Sequence, residues 1–458
     1  MSAHGIGISG HAWSRRVGSV LKSLTIGGLI LAALGATTRS AHAQWSRTYD
    51  QYYFPAPHNW VFRRTYAAAD RLFNAFDYGH AILYESLWTR PNADPSRLEE
   101  DKFDFITKKL LVSPPNLPLE EMAIEPMYSR LAPEAKAMFE WAHLLHRQVY
   151  DVLADERISD DMRDARVQEL LRYYLTRRDL AFSTHPKSMA LMQEKSYSLA
   201  FRERYPKFNG LIWGYHWLQM GLYEPLLEGR TLAERQAGVA ATLARFRQII
   251  AGAPNTTPYV MPMTAAVAPR FATRYPQVAI IFDNLHSMHD VISDILANPN
   301  VPRARKRAEI LLAAERYRDD TTEVMSVDGW RRMSAMMGVQ NMGGEAAGIV
   351  GPLPTPTVAR GTVMRHDADG NMIGDEQAGH DMSKMETRSP AKPTEKPRDE
   401  HAGHDMSAMP DKSTQSAGAR DSAQVDSVVH AFHASLAAAD SATVLSLLAA
   451  DVSIQEGG

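Results

Sequence analysis

Phe76-Asp77-Tyr78-Gly79-His80, Phe139-Glu140-Trp141-Ala142-His143 and Phe282-Asp283-Asn284-Leu285-His286 share one pattern: a Phe, an acid, and a His three residues after the acid. With 14 Phe, 53 acids and 17 His in 458 residues, random placement gives roughly 0.06 such matches. Three matches need a cause. Side chains three apart on an α-helix lie one turn apart on the same face, so each stretch presents a carboxylate and an imidazole together. Such pairs can clasp a metal ion between packed helices.

The flanking sequence supplies those helices. Residues 60–87 carry apolar side chains at helical spacing, among them Phe62, Tyr66, Leu72, Phe73, Phe76, Leu83 and Leu87. Pro91, Pro95, Pro114, Pro115 and Pro118 interrupt the next stretch. A second strong helix is expected over 133–153. Ser159-Asp160-Asp161 caps a polar amphipathic helix, and Thr231-Leu232-Ala233-Glu234 is a capping box opening another. Residues 208–227 and 277–296 read as further buried helices, 301–324 as an outer one, and the Pro-punctuated 252–276 as loop.

Arg204-Tyr205-Pro206 precedes His216 by the same interval as Arg274-Tyr275-Pro276 precedes His286. This echo makes His216 the counterpart of His286 on a fourth core helix, with Trp213 in the place of the acid. Strand alternation is nearly absent. The fold class expected for 44–337 is all-α, a multi-helix bundle with a four-helix core in two related pairs and outer amphipathic helices.

The ends differ in character. Arg15, Arg16 and Lys22 precede an apolar run from Leu24 to Ala36, and Ala41-His42-Ala43 has the form of a signal-peptidase site. Residues 1–43 are therefore expected to be a signal peptide, the protein to be periplasmic or secreted, and no stable membrane span to remain after cleavage. Residues 338–421 read as a disordered linker rich in Gly, Pro, Ser and Lys. Net charge is −3, with 50 basic against 53 acidic side chains, which gives no electrostatic case for a nucleic-acid partner. The chain has no Cys, so thiolate ligands, disulfides and covalently attached haem are excluded. Protein partners are not legible.

The candidate metal ligands are Asp77, His80, Glu140, His143, His216, Asp283 and His286. His146, His289, Asp290, Tyr84, Tyr150, Tyr223 and Glu224 stand where they can orient those ligands or extend the set. Catalytic residues are not identifiable. The acid-x-x-His pairs resemble the ligand pattern of ferritin-like dimetal carboxylate proteins, in which Glu-x-x-His sits on two bundle helices and a single Glu on each of the others. That resemblance covers Glu140/His143 and Asp283/His286 directly. It departs at Asp77/His80, a third pair, and at His216, a lone imidazole, so a nitrogen-richer site is implied. Without a metal, the same pairs would form a hydrogen-bonded polar layer in a helical core.

Within the linker, Ala378-Gly379-His380-Asp381-Met382-Ser383-Lys384-Met385 and Ala402-Gly403-His404-Asp405-Met406-Ser407-Ala408-Met409 are near copies. They resemble the Met/His-rich copper-binding segments of bacterial periplasmic copper-resistance proteins. The resemblance implies tail ligands at His380, Met382, Met385, His401, His404, Met406 and Met409, since thioether sulfur suits Cu(I). A transition metal is thus expected, copper favoured and iron or manganese also compatible, with haem b ranked behind them. Residues 422–458, through Val428-Val429-His430-Ala431-Phe432 and Val444-Leu445-Ser446-Leu447-Leu448, resemble the start of an NTF2-like (SnoaL-type) domain cut short.

The function expected is an exported metal-binding helical protein for copper binding, storage or resistance. The alternatives are a dimetal Fe, Mn or Cu oxidoreductase, and a metal-free structural or interaction protein.

Overall fold

The computed structural model describes residues 58–118, 121–193, 197, 199–252, 261–344, 346, 351–358 and 365–373. The expected signal peptide, the tail positions from His380 to Met409 and the NTF2-like fragment lie outside these residues. Chain packing separates residues 1–386 from 387–458, and the description below concerns the first unit.

The unit is all-α. In order come α1 (Val61–Thr65), α2 (Ala67–Thr89), α3 (Pro95–Phe105), α4 (Glu121–Ile124), α5 (Pro126–Leu131), α6 (Pro133–Ala154), α7 (Asp160–Tyr174), α8 (Ala190–Gln193) and α9 (Ala200–Arg204). They are followed by α10 (Pro206–Gly221), α11 (Tyr223–Glu228), α12 (Leu232–Gly252), α13 (Thr264–Val267), α14 (Pro269–Arg274), α15 (Pro276–Ala297), α16 (Arg303–Arg318) and α17 (Val327–Met337). Among the described residues there is no strand, only isolated bridges from Lys187 to Val324 and from His366 to Met372. No described helix is long and apolar enough to cross a membrane.

Four units repeat. In each, a short lead-in helix ends at a hinge residue and a long core helix starts immediately after it: α1–α2, α5–α6, α9–α10 and α14–α15. The hinges are Tyr66, Ala132, Tyr205 and Tyr275, all with φ between −142° and −127° and ψ between 49° and 66°. Pro133, Pro206 and Pro276 open three of the core helices, where a missing N–H costs no intrahelical bond. An aromatic four residues before each hinge (Phe62, Tyr128, Phe201, Phe271) is buried. The single helix expected over 60–87 is therefore broken at Tyr66, and the expected loop over 252–276 contains α13 and α14, helices too brief for periodicity to reveal.

Carboxylates hold these units together. A helix start exposes N–H groups that need acceptors, and each lead-in helix receives an acid from another core element. Asp151 accepts from Trp60 and Phe62 at 2.9 and 2.8 Å, and Glu85 accepts from Met127 and Tyr128 at 3.1 and 3.0 Å. Asp294 accepts from Leu199 and Phe201 at 3.1 and 2.8 Å, and Glu224 accepts from Arg270 and Phe271 at 2.9 and 3.2 Å. The exchange is reciprocal within units one and two and within units three and four. Each unit's beginning thus lies beside its partner's end, which makes the partners antiparallel. Asp caps the lead-ins that follow left-handed Trp60 (φ 66°) and Leu199 (φ 65°), while Glu caps those that open on Pro126 and Pro269. The bundle is two related pairs.

The outer helices follow their sequence signals. Ser159 accepts from the Met162 N–H at the start of α7. Thr231 and Glu234 exchange both capping-box bonds at α12. The chain does not leave the bundle at residue 337 as expected. Asn341 accepts from the N–H groups of Thr357 and Val358 at 2.7 and 3.1 Å, Ala346 N–H donates to Val267 at 3.2 Å, and Arg332 Nε donates to the Asp369 carbonyl at 2.9 Å. Part of the Gly content that reads as disorder instead makes turns. Gly343 has φ 76°, and a Cβ there would sit 3.0 Å from Trp217 Nε1.

The caps differ in burial, which gives a test. Asp294 is fully buried and also pairs with buried Arg202 at 2.6 Å, whereas Glu85 is only partly buried. Asp294→Ala is expected to cost about 3–5 kcal/mol because it strips the carboxylate from a buried guanidinium, and Glu85→Ala about 1 kcal/mol as an ordinary cap loss. Urea unfolding of both variants measures this, and equal losses would contradict the distinction.

Candidate metal centre

The hinges set the register of the core. Fourteen residues after each hinge stand His80, His146, Gln219 and His289, and eleven residues after stand Asp77, His143, His216 and His286. Three residues turn a helix by about 300°, so these two positions straddle the inward face, about 30° to either side of its midline. A third acid or His one turn earlier is carried about 90° away from that midline. The four core helices therefore deliver two inward layers holding six His, one Asp and one Gln, all at most 2% exposed.

Ring centroids trace how they meet. His80 and His289 are 4.2 Å apart, His80 and His216 5.3 Å, and His216 and His289 5.4 Å. His216 Nε2 lies 3.3 Å from His289 Nδ1. One nitrogen from each of His80, His216 and His289 falls within 4.8 Å of the others, so this buried group can hold a transition metal. A trigonal ion with bonds of about 2.0 Å needs nitrogens roughly 3.5 Å apart, so the His216–His289 spacing already fits. His286 lies 4.3 Å from His216, His143 5.5 Å from His289, and His146 5.7 Å from His286.

The Phe of the opening pattern has a role in all three copies. Phe76 packs edge-on against His80 at 4.1 Å, Phe139 against His289 at 4.0 Å, and Phe282 stacks on His146 at 3.4 Å. These rings wall the imidazoles in apolar surface. The imidazoles pack against one another and against these rings.

The seven candidate ligands divide. His80, His143, His216 and His286 stand in the cluster, with Asp77 beside His143 (Oδ1 to Nδ1, 3.7 Å). Asp77 is also held at 2.8 Å by buried Arg147, which bonds Asn74 and Asp70 as well. Glu140 and Asp283 are not brought into it. Glu140 binds Lys136 at 2.6 Å. Asp283 accepts from the Thr264 N–H and hydroxyl at 3.0 and 2.6 Å, and from Trp330 Nε1 at 2.8 Å. Both acids lie one turn before the inward pair, on the face turned toward other elements. The three Phe-acid-x-x-His stretches are thus not in one register: Asp77 occupies the layer of His143 and His286, one turn displaced from Glu140 and Asp283.

His289, read from the sequence as either a ligand or an orienting residue, is a member of the metal-capable triad, and His146 faces the same interior. Gln219, which sequence reasoning missed, bonds His286 Nε2 through Oε1 at 2.8 Å. The constant interval from hinge to His would have found all three. The tyrosines brace the layers: Tyr84 donates to the His289 carbonyl at 3.1 Å, Tyr150 to the Gln219 carbonyl, and Tyr223 meets His146 Nδ1 at 2.6 Å. Glu224 caps α14, and buried Asp290 faces the charge of Arg202.

Burial dominates the electrostatics. It pushes the pKa values of His146, His216, His286 and His289 well below 6.5, and the neighbouring imidazoles push them further down. The rings are therefore neutral at pH 7 with lone pairs ready for a metal. The stability tied to this neutrality is present above pH 6.5 and lost as pH falls below it. Burial raises the Asp290 carboxyl to about 7, opposed by Arg202, which has the reverse consequence.

Comparison with protein families, with curated proteins and with solved structures finds no match to this chain. The site therefore has to be read from its own chemistry.

Burial moves the Asp290 carboxyl from its ordinary 3.8 up to about 7 in the fold. Its folded form is favoured below about pH 4, and that advantage disappears as pH rises through 7. Metal-free Asp290→Asn, which mimics the protonated acid, is expected to gain stability relative to the parent between pH 4 and 8 in denaturant unfolding. A pH-independent difference would refute this assignment.

Proposed function

We propose that this is an exported metal-binding protein that holds copper, as Cu(I), on His80, His216 and His289, in a binding, storage or resistance role. The observation that carries the reading is the convergence of three buried imidazoles from α2, α10 and α15. Two arguments favour copper. The cost of burying an ion grows with the square of its charge, and the nearby carboxylate, Asp77, is already paired with Arg147, so a monovalent ion suits the site better than a divalent one. Imidazole also serves Cu(I), and the Met/His tail offers the thioethers that soft ion prefers.

A carrier is favoured over a redox enzyme by closure. Phe76 and Phe139 cover the triad, where an oxygen-activating ion needs an open coordination position and space for substrate. A small pocket is lined by Asp70, Phe73, Arg147 and Tyr150 among others. On their inner side Phe73 touches His143 and His146, and Arg147 touches Asp77. On the signal-peptide reading the protein would be periplasmic or secreted, and the tail would capture the ion there.

The test is elemental analysis of the full-length protein purified without added metal, beside two variants. One replaces the tail ligands His380, Met382, Met385, His401, His404, Met406 and Met409 by Ala, and the other is His289→Ala. Copper retained by the tail variant and reduced at least several-fold in His289→Ala is expected. Iron, manganese or no metal in the parent, or copper lost entirely with the tail ligands, would overturn the proposal.

A further inference from the structure

The reciprocal carboxylate caps define an exchange that swaps α2 with α6 and α10 with α15. Under that exchange the first-layer residues His80 and His289 become His146 and Gln219, and His216 becomes His286. The triad His80/His216/His289 thus has an internal counterpart, His146/His286/Gln219. The contacts obey the same exchange. His216 Nε2 meets His289 Nδ1 at 3.3 Å, and His286 Nε2 meets Gln219 Oε1 at 2.8 Å. Tyr84 and Tyr150 obey it too, Tyr84 donating to the His289 carbonyl and Tyr150 to the Gln219 carbonyl.

We infer that this counterpart is a second metal site, taking a second Cu(I) on His146 and His286 with Gln219 orienting His286. The inference rests on the reading of the first triad as a metal site and makes the centre dinuclear. Three observations support it. His146 Nε2 and His286 Nδ1 are buried, in residues 0% exposed, and make no hydrogen bond among the described residues. Their other nitrogens are engaged by Tyr223 and Gln219. With Gln219 Oε1 accepting from His286 Nε2, the remaining Nδ1 carries a lone pair. With His146 Nδ1 donating to Tyr223, so does His146 Nε2. Orienting one ring nitrogen while the other is left for a metal is how proteins fix a ligating imidazole. A buried lone pair with no donor is otherwise costly in an apolar core.

The spacing suits the ion. Two imidazoles on a linear ion with bonds of about 2.0 Å have ring centroids roughly 6 Å apart, and His146 and His286 are 5.7 Å apart. Linear two-coordination is a geometry of monovalent copper, whereas a divalent ion demands more donors and a counter-charge. Phe282 stacked on His146 at 3.4 Å leaves the surroundings apolar. With Gln in place of a third imidazole, the second site is expected to bind more weakly than the first.

The test is an anaerobic Cu(I) titration against a chromogenic Cu(I) chelator, using the full-length chain with its tail ligands replaced by Ala. His146→Gln, His286→Gln and His289→Gln are compared in that background. Gln already occupies this layer at position 219, which makes it the substitution the core accepts, and far-ultraviolet circular dichroism verifies the fold. Two equivalents in the parent are expected, one in His146→Gln and in His286→Gln, and a lost tighter equivalent in His289→Gln. One equivalent in the parent, lost only in His289→Gln, overturns the second site and leaves the first standing. Two equivalents retained in both His146→Gln and His286→Gln also overturn it. No binding in the parent removes both. Independently of any variant, anomalous diffraction at the copper edge from copper-loaded crystals should show a peak between His146 and His286. Its absence beside a peak at His80/His216/His289 overturns the inference.

Discussion

Four carboxylates, Glu85, Asp151, Glu224 and Asp294, tie the start of each helical unit to the end of its partner, and the placement of every imidazole follows from that constraint. A helix free to slide by one turn would move its inward pair by about 5.4 Å, more than the distance between the His80 and His289 rings. Each cap satisfies two backbone N–H groups at a fixed point on the opposing helix, and the hinge then delivers the inward residues at a constant interval. Register here is a matter of hydrogen bonding at the ends rather than of packing in the middle. This lets the middle carry a layer of polar rings that would otherwise specify little about helix position.

That layer is unusual for its lack of charge. Six buried His would be prohibitive as cations, and burial together with mutual repulsion keeps at least four of them neutral. The three paired carboxylates are committed to other partners: Asp77 to Arg147, Glu140 to Lys136, Asp283 to Thr264 and Trp330. The centre is thus one of buried imidazoles in an aromatic shell. Of the three paired acids, only Asp77 stands in the inward layers, beside His143.

Much of this was legible in the residues, for identifiable reasons. Long periodic helices such as α6 and α15 end within a residue or two of the positions read from sequence, because their Pro starts and apolar faces are strong local signals. The Arg-Tyr-Pro echo placed His216 opposite His286 because the repeat is carried by backbone geometry. The ligand set was only half legible. Acid-x-x-His suggests a pair on one face, yet Glu140 and Asp283 belong to the turn before the inward layer, and only the hinge interval distinguishes them from Asp77. His146 and His289 looked secondary because they lacked an acid partner. Gln219 carries no metal-site signature and becomes visible only through the hinge interval it shares with His80, His146 and His289. The lead-in helices are too short for any periodic signal, and the turns after Met337 depend on Gly at positive φ, which composition alone reads as disorder.

The copper K-edge X-ray absorption spectrum of the metal-loaded full-length protein reads whether a metal sits among the imidazoles of the bundle core. With the tail ligands replaced by Ala, the first shell should contain only nitrogen scatterers at about 2.0 Å, with the outer-shell pattern of imidazole rings. A first shell of sulfur or of carboxylate oxygen, or one unchanged by His289→Ala, would contradict the account.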